Sequence, residues 1–281
     1  MTALVLCGGG SRGAVEVGLY RALVELRIPI DLIVGTSVGA INGAAIAAGL
    51  SPDPLAQLWR GLTRRDVVRF NRQLFWKFLW ADSLFDHRPL RRFLERNLPL
   101  RRFEELRIPL IVTGTDFGTG RSVYWRRGDL VDAIMASVAM PGLFPPQFVG
   151  GVQLVDGGIT DNVPIGVAVA EGADTVIVML CACCERVSGP VRGLFAILRR
   201  ALAIAVDRKY HVEVERYAGS ADLVVLEPPL DRAIDLLDFS HSDELIEQGY
   251  ARALAALRGR PLVAGGRRCA GMTLAARGTR L

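Results

Sequence analysis

The residue best placed to do chemistry is Ser37, in the middle of the segment Gly35-Thr-Ser-Val-Gly39. An apolar run rich in isoleucine and valine ends at Gly35, and an alanine-rich run over 40–49 follows the serine. Strand, tight turn and helix form the setting in which a G-x-S-x-G pattern presents a serine nucleophile above the edge of a sheet. The helix directs its N-terminus at the serine, where its field favours developing negative charge. The alternative is a glycine-rich strand–helix turn that carries an incidental serine.

A second glycine-rich segment, Gly8-Gly-Gly-Ser-Arg-Gly13, lies between a short buried strand predicted over 3–7 and a helix predicted over 14–26. Backbone N–H groups of such a loop form a cradle for negative charge. One use of the cradle is dinucleotide binding, because the loop matches G-x-G-x-x-G and Asp31 follows at a suitable distance. The other is an oxyanion hole for acyl transfer. The serine in the next strand–helix turn favours the oxyanion hole, because a cofactor site has no use for that serine.

A carboxylate follows a later strand-like run, in Leu154-Val-Asp-Gly-Gly158. An aspartate at a strand end lies at the carboxyl edge of an open α/β sheet, where such sheets carry their sites. Asp-Gly is also a common turn pair, so Asp156 on its own fits a turn former equally well. Together with the serine segment, Asp156 becomes the leading candidate for a general base. Its rivals are Asp161, which we expect to cap a helix over 163–170, and Asp116, at another strand end.

The histidines decide between a triad and a dyad, because a Ser-His-Asp triad needs one of them beside the serine. The chain has three: His87, His211 and His241. We expect His87, in a basic linker, and His241, at a helix start, to be exposed, whereas His211 falls inside a helix predicted over 191–217. None lies in a loop of small residues typical of a catalytic histidine. The sequence therefore favours a direct Ser–Asp dyad.

Composition limits the broad class. The chain has 281 residues, 51% of them hydrophobic, enough for one large core or two modest ones. Its net charge of +5 favours anionic partners in general, a lipid surface as much as a nucleic acid.

We expect neither a signal peptide nor a membrane span, since no apolar run approaches roughly 20 residues. The odd count of five cysteines predicts reduced thiols in the cytoplasm, and we interpret Cys181, Cys183 and Cys184 as structural thiols rather than a metal site.

Two segments are candidates for contact with lipid. At helical period, residues 65–80 place apolar side chains on one face and arginines with Trp76 and Trp80 on the other. Tryptophan among arginines is typical of a membrane interface, so the pattern predicts a lid or a lipid-docking surface. The alternative is a helix that covers the core with its tryptophans packed under a loop. After Glu247 the chain has arginines and no acidic residue, and we expect 258–281 to be a mobile basic tail.

Four motifs in order resemble those of the bacterial patatin-like phospholipase family. They are the glycine-rich loop over 8–13, the serine segment over 35–39, the block Ala136-Ser-Val-Ala-Met-Pro141 with Phe144 and Pro145, and Asp156-Gly-Gly158. Together they cover roughly residues 4–170 and are far more specific than any one alone. The resemblance implies a three-layer α/β/α sandwich with a central, mostly parallel sheet, related to the α/β hydrolases.

The resemblance also implies roles for the residues of these motifs. Ser37 attacks an ester carbonyl and becomes acylated, and Asp156 accepts its proton. Backbone N–H groups of the glycine loop stabilise the oxyanion, and Arg12 steers a phosphate or shapes the loop. The oxyanion loop comprises Gly8, Gly9, Gly10 and Gly13; Gly35 and Gly39 flank the serine, and Gly157 and Gly158 follow the aspartate. The resemblance implies no cofactor and no metal.

The expected function is therefore cleavage of carboxylic esters of phospholipids or lysophospholipids. A dinucleotide-binding oxidoreductase that uses residues 8–13, and a non-catalytic lipid-binding relative, remain the alternatives. We expect a catalytic region over 4–170, strands and helices over 171–257 that complete the same domain, and the tail. The expected location is the cytoplasm, with peripheral contact to anionic membrane through residues 65–80 and the tail and with no nucleic acid partner. Head group, acyl length and oligomeric state stay open.

Overall fold

A mixed β-sheet organises the chain. The computed structural model describes residues 1–72, 76, 80–181, 189–228 and 234–260. The strands are β1 (Thr2–Leu6), β2 (Leu32–Thr36), β3 (Arg69–Phe70), β4 (Phe85–Asp86), β5 (Leu110–Asp116), β6 (Arg121–Trp125), β7 (Gln147–Val149), β8 (Val152–Asp156), β9 (Thr175–Met179) and β10 (Asp222–Leu226). The helices are α1 (Ala14–Glu25), α2 (Val38–Ala47), α3 (Pro52–Gly61), α4 (Arg64–Val67), α5 (Arg88–Asn97), α6 (Leu130–Ser137), α7 (Gly158–Asp161), α8 (Ile165–Ala170), α9 (Leu194–Tyr217) and α10 (Ser242–Leu257).

The order of strands in the large sheet is β10-β9-β1-β2-β5-β8-β7, with β6 also paired to β5. The run from β10 to β5 is parallel, and β6, β7 and β8 are antiparallel to their neighbours. All residues of β1, β2 and β9 are buried, which requires that both faces of the sheet be covered. These strands are continuous apolar runs without polar alternation because both of their faces are buried. The predicted α/β sandwich with a mostly parallel sheet is confirmed.

Helices α1 and α10 pack unusually close together at two glycines. A Cβ on Gly18 of α1 would lie 2.0 Å from the carbonyl oxygen of Ile246, and a Cβ on Gly249 of α10 would lie 2.1 Å from that of Val15. Both contacts are with backbone, so neither helix can yield by a side-chain rotation. This contact fixes α1, which begins directly after the glycine-rich loop, against the C-terminal helix.

The sequence-based expectation of one amphipathic helix over 65–80 is wrong in its first part. Helix α4 begins at a capping box between Thr63 and Asp66 and ends at Val67, and the next residue, Val68, has an extended backbone. The chain then forms β3, which pairs antiparallel with β4, so it no longer has helical period. The rest of the predicted apolar face, Leu74, Phe75 and Phe78, lies outside the described residues.

The remaining predicted elements agree with the structure to within a few residues. The strand-like runs over 109–116 and 121–126, joined by a glycine turn, predict a hairpin, and β5 and β6 form it. The sequence also predicts that Asp129 caps the next helix, and its side chain caps α6 by accepting the N–H of Asp132 at 2.8 Å. In the described part of the chain, no helix combines the length and the apolar character needed to cross a bilayer.

We expect substitution of Gly249 by alanine to lower the free energy of unfolding by about 2 kcal/mol, because the added methyl overlaps backbone of α1. Equilibrium urea unfolding measures the change. Gly61→Ala is the matched control: a Cβ there meets no described atom within 4 Å, so that variant should be neutral or slightly more stable. Equal stability of the two variants would contradict the close helix contact.

Candidate active site

Strand β5 brings the candidate serine and the candidate aspartate together. Thr36, the last residue of β2, is in register with Thr113 of β5, and Asp156, the last residue of β8, is in register with Gly114. Because these are consecutive residues of one strand, the ends of β2 and β8 meet. Strand β2 runs parallel to β5, so its last residue, Thr36, lies near the carboxyl end of β5. Strand β8 runs antiparallel to β5 and enters the sheet at that same end, so its last residue, Asp156, also lies there.

The backbone at Ser37 forms a tight elbow between β2 and α2. Its φ of 55° and ψ of −121° lie in a region that costs a non-glycine residue about 1–3 kcal/mol. A Cβ on Gly35 would lie 2.5 Å from the carbonyl oxygen of Gly39, and a Cβ on Gly39 would lie 2.2 Å from that of Leu6. Both flanking positions therefore require glycine, for the steric reason inferred from the motif.

The Ser37 hydroxyl donates a hydrogen bond to Oδ2 of Asp156 at 2.7 Å. The other carboxylate oxygen, Oδ1, accepts the backbone N–H of Gly158 at 2.7 Å. Asp156 is only 3% exposed, and burial raises the pKa of its carboxyl group to about 6. The group is thus ionised at neutral pH and is a stronger base than an ordinary aspartate, which suits removal of a proton from a hydroxyl.

Ser137 positions the elbow. It belongs to the motif over 136–141, for which the resemblance implied no role. Its Oγ accepts the N–H of Ser37 at 2.8 Å and donates to the carbonyl oxygen of Thr113 at 2.6 Å. The buried backbone N–H of Ser37 has no intrahelical partner, so this hydroxyl supplies one. Thr115 acts similarly on the other partner, donating to the carbonyl oxygen of Asp156 at 2.9 Å. No sequence signal beyond the motif itself identified either residue.

The rival carboxylates have other functions. The side chain of Asp161 accepts a hydrogen bond from the hydroxyl of Tyr124 at 2.8 Å. It does not cap the following helix as expected, because α8 begins after Pro164, and its carbonyl oxygen accepts from Thr36. Asp116 accepts the N–H groups of an exposed turn, at Gly118 and Thr119. Neither carboxylate is hydrogen-bonded to Ser37.

The histidine expectations are partly wrong, although the dyad does not depend on them. His87 is buried rather than exposed: its ring lies against Phe144 and its Nε2 lies 3.1 Å from Nε2 of Gln147. Burial lowers the pKa of this imidazole to about 4. His241 lies between Asp238 and Glu244. The hydroxyl of Ser37 bonds to a carboxylate and not to any of these rings.

The glycine-rich loop lies beside Ser37, and its amides differ in their partners. The N–H of Gly8 donates to Oδ1 of Asn162 at 3.1 Å, so the expectation that Gly8 belongs to the oxyanion hole needs correction. Within the described residues, no protein atom accepts the N–H groups of Gly9 and Gly10. The guanidinium Nε of Arg12 donates to the carbonyl oxygen of Gly9 at 3.2 Å, which shows that Arg12 shapes the loop.

A neighbouring segment anchors the other side of this loop. The backbone N–H of Ser11 donates to the carbonyl oxygen of Leu236 at 2.8 Å, and its hydroxyl donates to that of Asp235 at 2.7 Å. Gly10 has a φ of 60°, and a Cβ there would lie 2.5 Å from the same Leu236 oxygen. The loop is therefore held from both ends, and the amides of Gly9 and Gly10 take no part in these contacts.

The dinucleotide alternative fails on the position of Asp31. Its Oδ2 accepts the N–H of Thr2 at 2.7 Å, at the start of β1. The glycine-rich loop follows the opposite end of that strand, so Asp31 and the loop lie at opposite edges of the sheet. An acidic residue that reads a ribose hydroxyl would have to lie at the loop's edge.

A buried polar cluster lies under the loop. Donor atoms of Cys7, Glu16 and Cys181 lie within 4.8 Å of one another, a set that could ligate a metal ion. In the structure each has a protein partner instead: Cys7 Sγ donates to the carbonyl oxygen of Met179, and Cys181 Sγ donates to Glu16 at 3.2 Å. The amide of Asn42 donates to the other oxygen of Glu16 at 2.7 Å. We interpret the cluster as a hydrogen-bonded support for the loop; Cys183 and Cys184 lie outside the described residues.

Two clefts meet at Ser37 and Asp156. The first, here the apolar cleft, lies between α2, α3 and α5 and is lined almost wholly by aliphatic and aromatic side chains. The loop over 141–146, predicted to wall a pocket, contributes Leu143 and Phe144. The second, here the arginine-flanked cleft, lies between the glycine-rich loop and α9, and Arg12 and Arg200 line it. Of the described residues that line this second cleft, Asp156 alone is acidic.

Comparisons with known proteins agree on one family. The patatin-like phospholipase family model matches residues 4–169. An uncharacterised NTE family protein of Mycobacterium bovis is 29% identical over 297 residues, covering 92% of this chain and 46% of the relative. The lysophospholipase nte1 of Aspergillus niger is 27% identical, covering 88% of this chain and 17% of its own length. The chain thus spans less than half of the curated relatives it matches.

Solved structures with the same fold include those of two bacterial proteins. ExoU of Pseudomonas aeruginosa, in complex with SpcU, has a TM-score of 0.52 at 17% identity, covering 92% of this chain and 52% of that one. VipD of Legionella pneumophila has a TM-score of 0.50 at 13% identity, covering 91% and 66%. At such identities the likeness supports the fold alone.

We expect kcat/KM for a soluble ester to fall about tenfold per pH unit below a midpoint near pH 6. The reason is that a carboxyl group can accept a proton from Ser37 only when it is ionised, and burial raises the pKa of Asp156 to about 6. A pH–rate profile with p-nitrophenyl butyrate measures the midpoint. Asp161→Asn is the control and should keep the same profile. A midpoint near pH 4, or a shift of the midpoint in the control, would contradict the assignment.

Proposed function

The chain belongs to the patatin-like phospholipase family, and from this premise we propose that it is a serine hydrolase of lipid acyl esters. The observation that carries the proposal is the 2.7 Å hydrogen bond from the Ser37 hydroxyl to a buried carboxylate with a raised pKa. A hydroxyl in contact with a base of this strength, on a strained elbow at a helix N-terminus, is arranged for nucleophilic attack.

In the acylation step, Ser37 Oγ forms a bond to the ester carbonyl carbon while Asp156 accepts the hydroxyl proton. The carbonyl oxygen becomes an oxyanion, and the amides of Gly9 and Gly10, which have no acceptor among the described residues, are the candidates to donate to it. One such donor is typically worth about 3 kcal/mol of transition-state stabilisation. The C–O bond to the alcohol then breaks, Asp156 returns the proton to the leaving alkoxide, and an acyl-serine ester remains.

Deacylation repeats the sequence with water in place of serine. Asp156 accepts a proton from water, the resulting hydroxide adds to the acyl carbon, and the Ser37–carbon bond breaks with return of the proton to Oγ. The free carboxylic acid and the regenerated hydroxyl are the products. Because the same carboxylate serves both steps, both should share its dependence on pH.

The two clefts suggest how a lipid would lie across the dyad. The apolar cleft offers an acyl chain a lining without charge, apart from the dyad itself. The arginine-flanked cleft offers the leaving group two guanidinium side chains, Arg12 and Arg200, which suit a phosphate ester. We therefore place the acyl chain in the first cleft and a phosphate-bearing glycerol in the second. Phospholipids or lysophospholipids are the substrates that this arrangement fits.

We also propose that residues 171–257 complete the catalytic domain. Strand β9 pairs with β1 and β10 with β9, so the sheet that carries the elbow continues into this region. Helix α9 forms one wall of the arginine-flanked cleft. A chain that ended near residue 170 would leave β1 with an open edge.

For membrane contact, the segment over 65–80 and the basic tail stay candidates. Trp76 is 91% exposed and Trp80 is 86% exposed, which leaves both indoles free to meet a head-group layer. Of the tail's arginines, Arg258 and Arg260 lie within the described residues, and they contact Glu25 and Asp222, respectively.

Ser37→Ala should abolish turnover of p-nitrophenyl butyrate and of a lysophospholipid, by at least about 10³-fold, because no other group can form the acyl-enzyme. Labelling by a fluorophosphonate, read by mass spectrometry, should map to Ser37 and disappear in the variant. Ser51→Ala, at an exposed serine without a capping hydrogen bond, is the control. Retained turnover in the Ser37 variant would refute the proposal.

Ala45→Leu should reduce hydrolysis of long acyl chains about tenfold while leaving butyrate esters nearly unchanged. Ala45 lines the apolar cleft two helical turns after Ser37, about 12 Å along α2, so the added atoms obstruct only the distal part. A series of p-nitrophenyl esters of increasing chain length measures the effect. Ala203→Leu, in the arginine-flanked cleft, is the matched control and should leave the chain-length profile unchanged. The reverse result would assign the acyl chain to the second cleft.

A further inference from the structure

Helix α9 turns an apolar face to the outside. Leu194, Ile197 and Leu198 are 68%, 50% and 57% exposed, and they share one stripe at helical spacing. Ala201 and Ala205, both exposed, extend the stripe by two turns, and the exposed Arg208 ends it. Scattered exposed apolar residues need no explanation, but a continuous apolar stripe marks a surface that another apolar phase covers. Within the described residues, nothing covers it.

The opposite face of α9 is fixed to the protein. Tyr210 and Val214 are buried, and a Cβ on Gly166 of α8 would lie within 2.7–2.9 Å of the Tyr217 ring, so this half packs closely on the body of the molecule. The first half of the helix lies over the arginine-flanked cleft, to which it contributes Arg200 and Ala203. The same helix therefore forms the wall of the cleft and presents the apolar stripe to the outside.

The charged residues of the segment that carries this stripe indicate which kind of surface covers it. Residues 189–212 contain five cationic residues, at 192, 199, 200, 208 and 209, and one acidic residue, at 207. A second copy of the chain, docked symmetrically through the same face, would bring these like charges together. An anionic bilayer supplies both requirements, an apolar phase for leucine and isoleucine and negative head groups for arginine.

We propose that α9 is a membrane-docking helix, which lies in the interface of an anionic bilayer with Leu194, Ile197 and Leu198 in the acyl region. In this position the arginine-flanked cleft, directly beneath the helix, opens next to the lipid surface. The inference concerns docking and is independent of catalysis, so Ser37→Ala protein should bind vesicles as wild type does. A failure of the hydrolase proposal is therefore distinguishable from a failure of this one.

The test is sedimentation with vesicles of equimolar phosphatidylcholine and phosphatidylglycerol. The triple variant Leu194→Gln, Ile197→Gln, Leu198→Gln should lower the partition coefficient by at least about tenfold, because three large apolar side chains leave the acyl region. None of the three lines either cleft, so p-nitrophenyl butyrate turnover should stay at the wild-type rate. Wild-type binding should also weaken on vesicles of phosphatidylcholine alone.

A matched control removes the same number of exposed apolar side chains elsewhere: Val24→Gln, Phe117→Gln, Phe148→Gln. This control should bind vesicles as wild type does. Equal loss in the control, or unchanged binding of the α9 variant, would overturn the proposal. So would loss of binding confined to a Trp76→Ser, Trp80→Ser variant. Analytical ultracentrifugation that shows a dimer converted to monomer by the α9 substitutions, without vesicle binding by wild type, would assign the stripe to self-association instead.

Discussion

A carboxylate held out of water beside a hydroxyl is the interaction on which the rest of this structure depends. Asp156 has two short hydrogen bonds, from Ser37 and from the amide of Gly158, and no cationic partner among the described residues. Its raised pKa means that the folded protein binds a proton more tightly than the unfolded chain does. As pH rises from about 4 to about 6, this group therefore removes up to about 3 kcal/mol of stability. Other interactions in the folded protein have to offset this loss of stability.

The support comes from short contacts that leave little freedom. Ser137 and Thr115 hold the backbones of Ser37 and Asp156, and both are tied to β5 or belong to it. On the other side, Cys181 packs under Gly9, where a Cβ would lie 2.3 Å away. The buried Glu16, whose pKa burial raises well above its usual range, continues this support to Asn42 and from there to the indole of Trp59. The floor of the loop and the wall of the apolar cleft are thus one hydrogen-bonded unit.

Local patterns predicted much of the fold. The strand–elbow–helix around Ser37, the glycine-rich loop and the β5–β6 hairpin depend on nearby residues, and each forms as expected. The pairing of Asp156 with β5 is a long-range contact, so the sequence indicated only that the aspartate ends a strand. No local sequence pattern indicates that β8 runs antiparallel to β5.

The sequence-based predictions that are wrong also concern contacts between distant parts of the chain. Helical period over 65–80 was a true pattern, but pairing of β3 with β4 outweighs it. His87 lies in a basic stretch, yet the fold covers it with Phe144 and Gln147, which are nearly 60 residues away. Ser137 and Asn162 act through single hydrogen bonds to backbone amides, and residue type alone does not reveal such a partner. The proposed reacting groups belong to recognisable motifs, whereas the groups that hold them do not.

Ser37 and Asp156 are 119 positions apart, yet their distance is set by the register of two adjacent residues in β5. Insertions or deletions in the connections between these strands leave that register untouched, so the intervening chain can change length without moving the two reacting groups. One residue gained or lost inside β5 itself would instead reverse the side of the sheet on which one of them emerges. Lineages that reshape the clefts by loop length are therefore expected to keep the length of this strand constant.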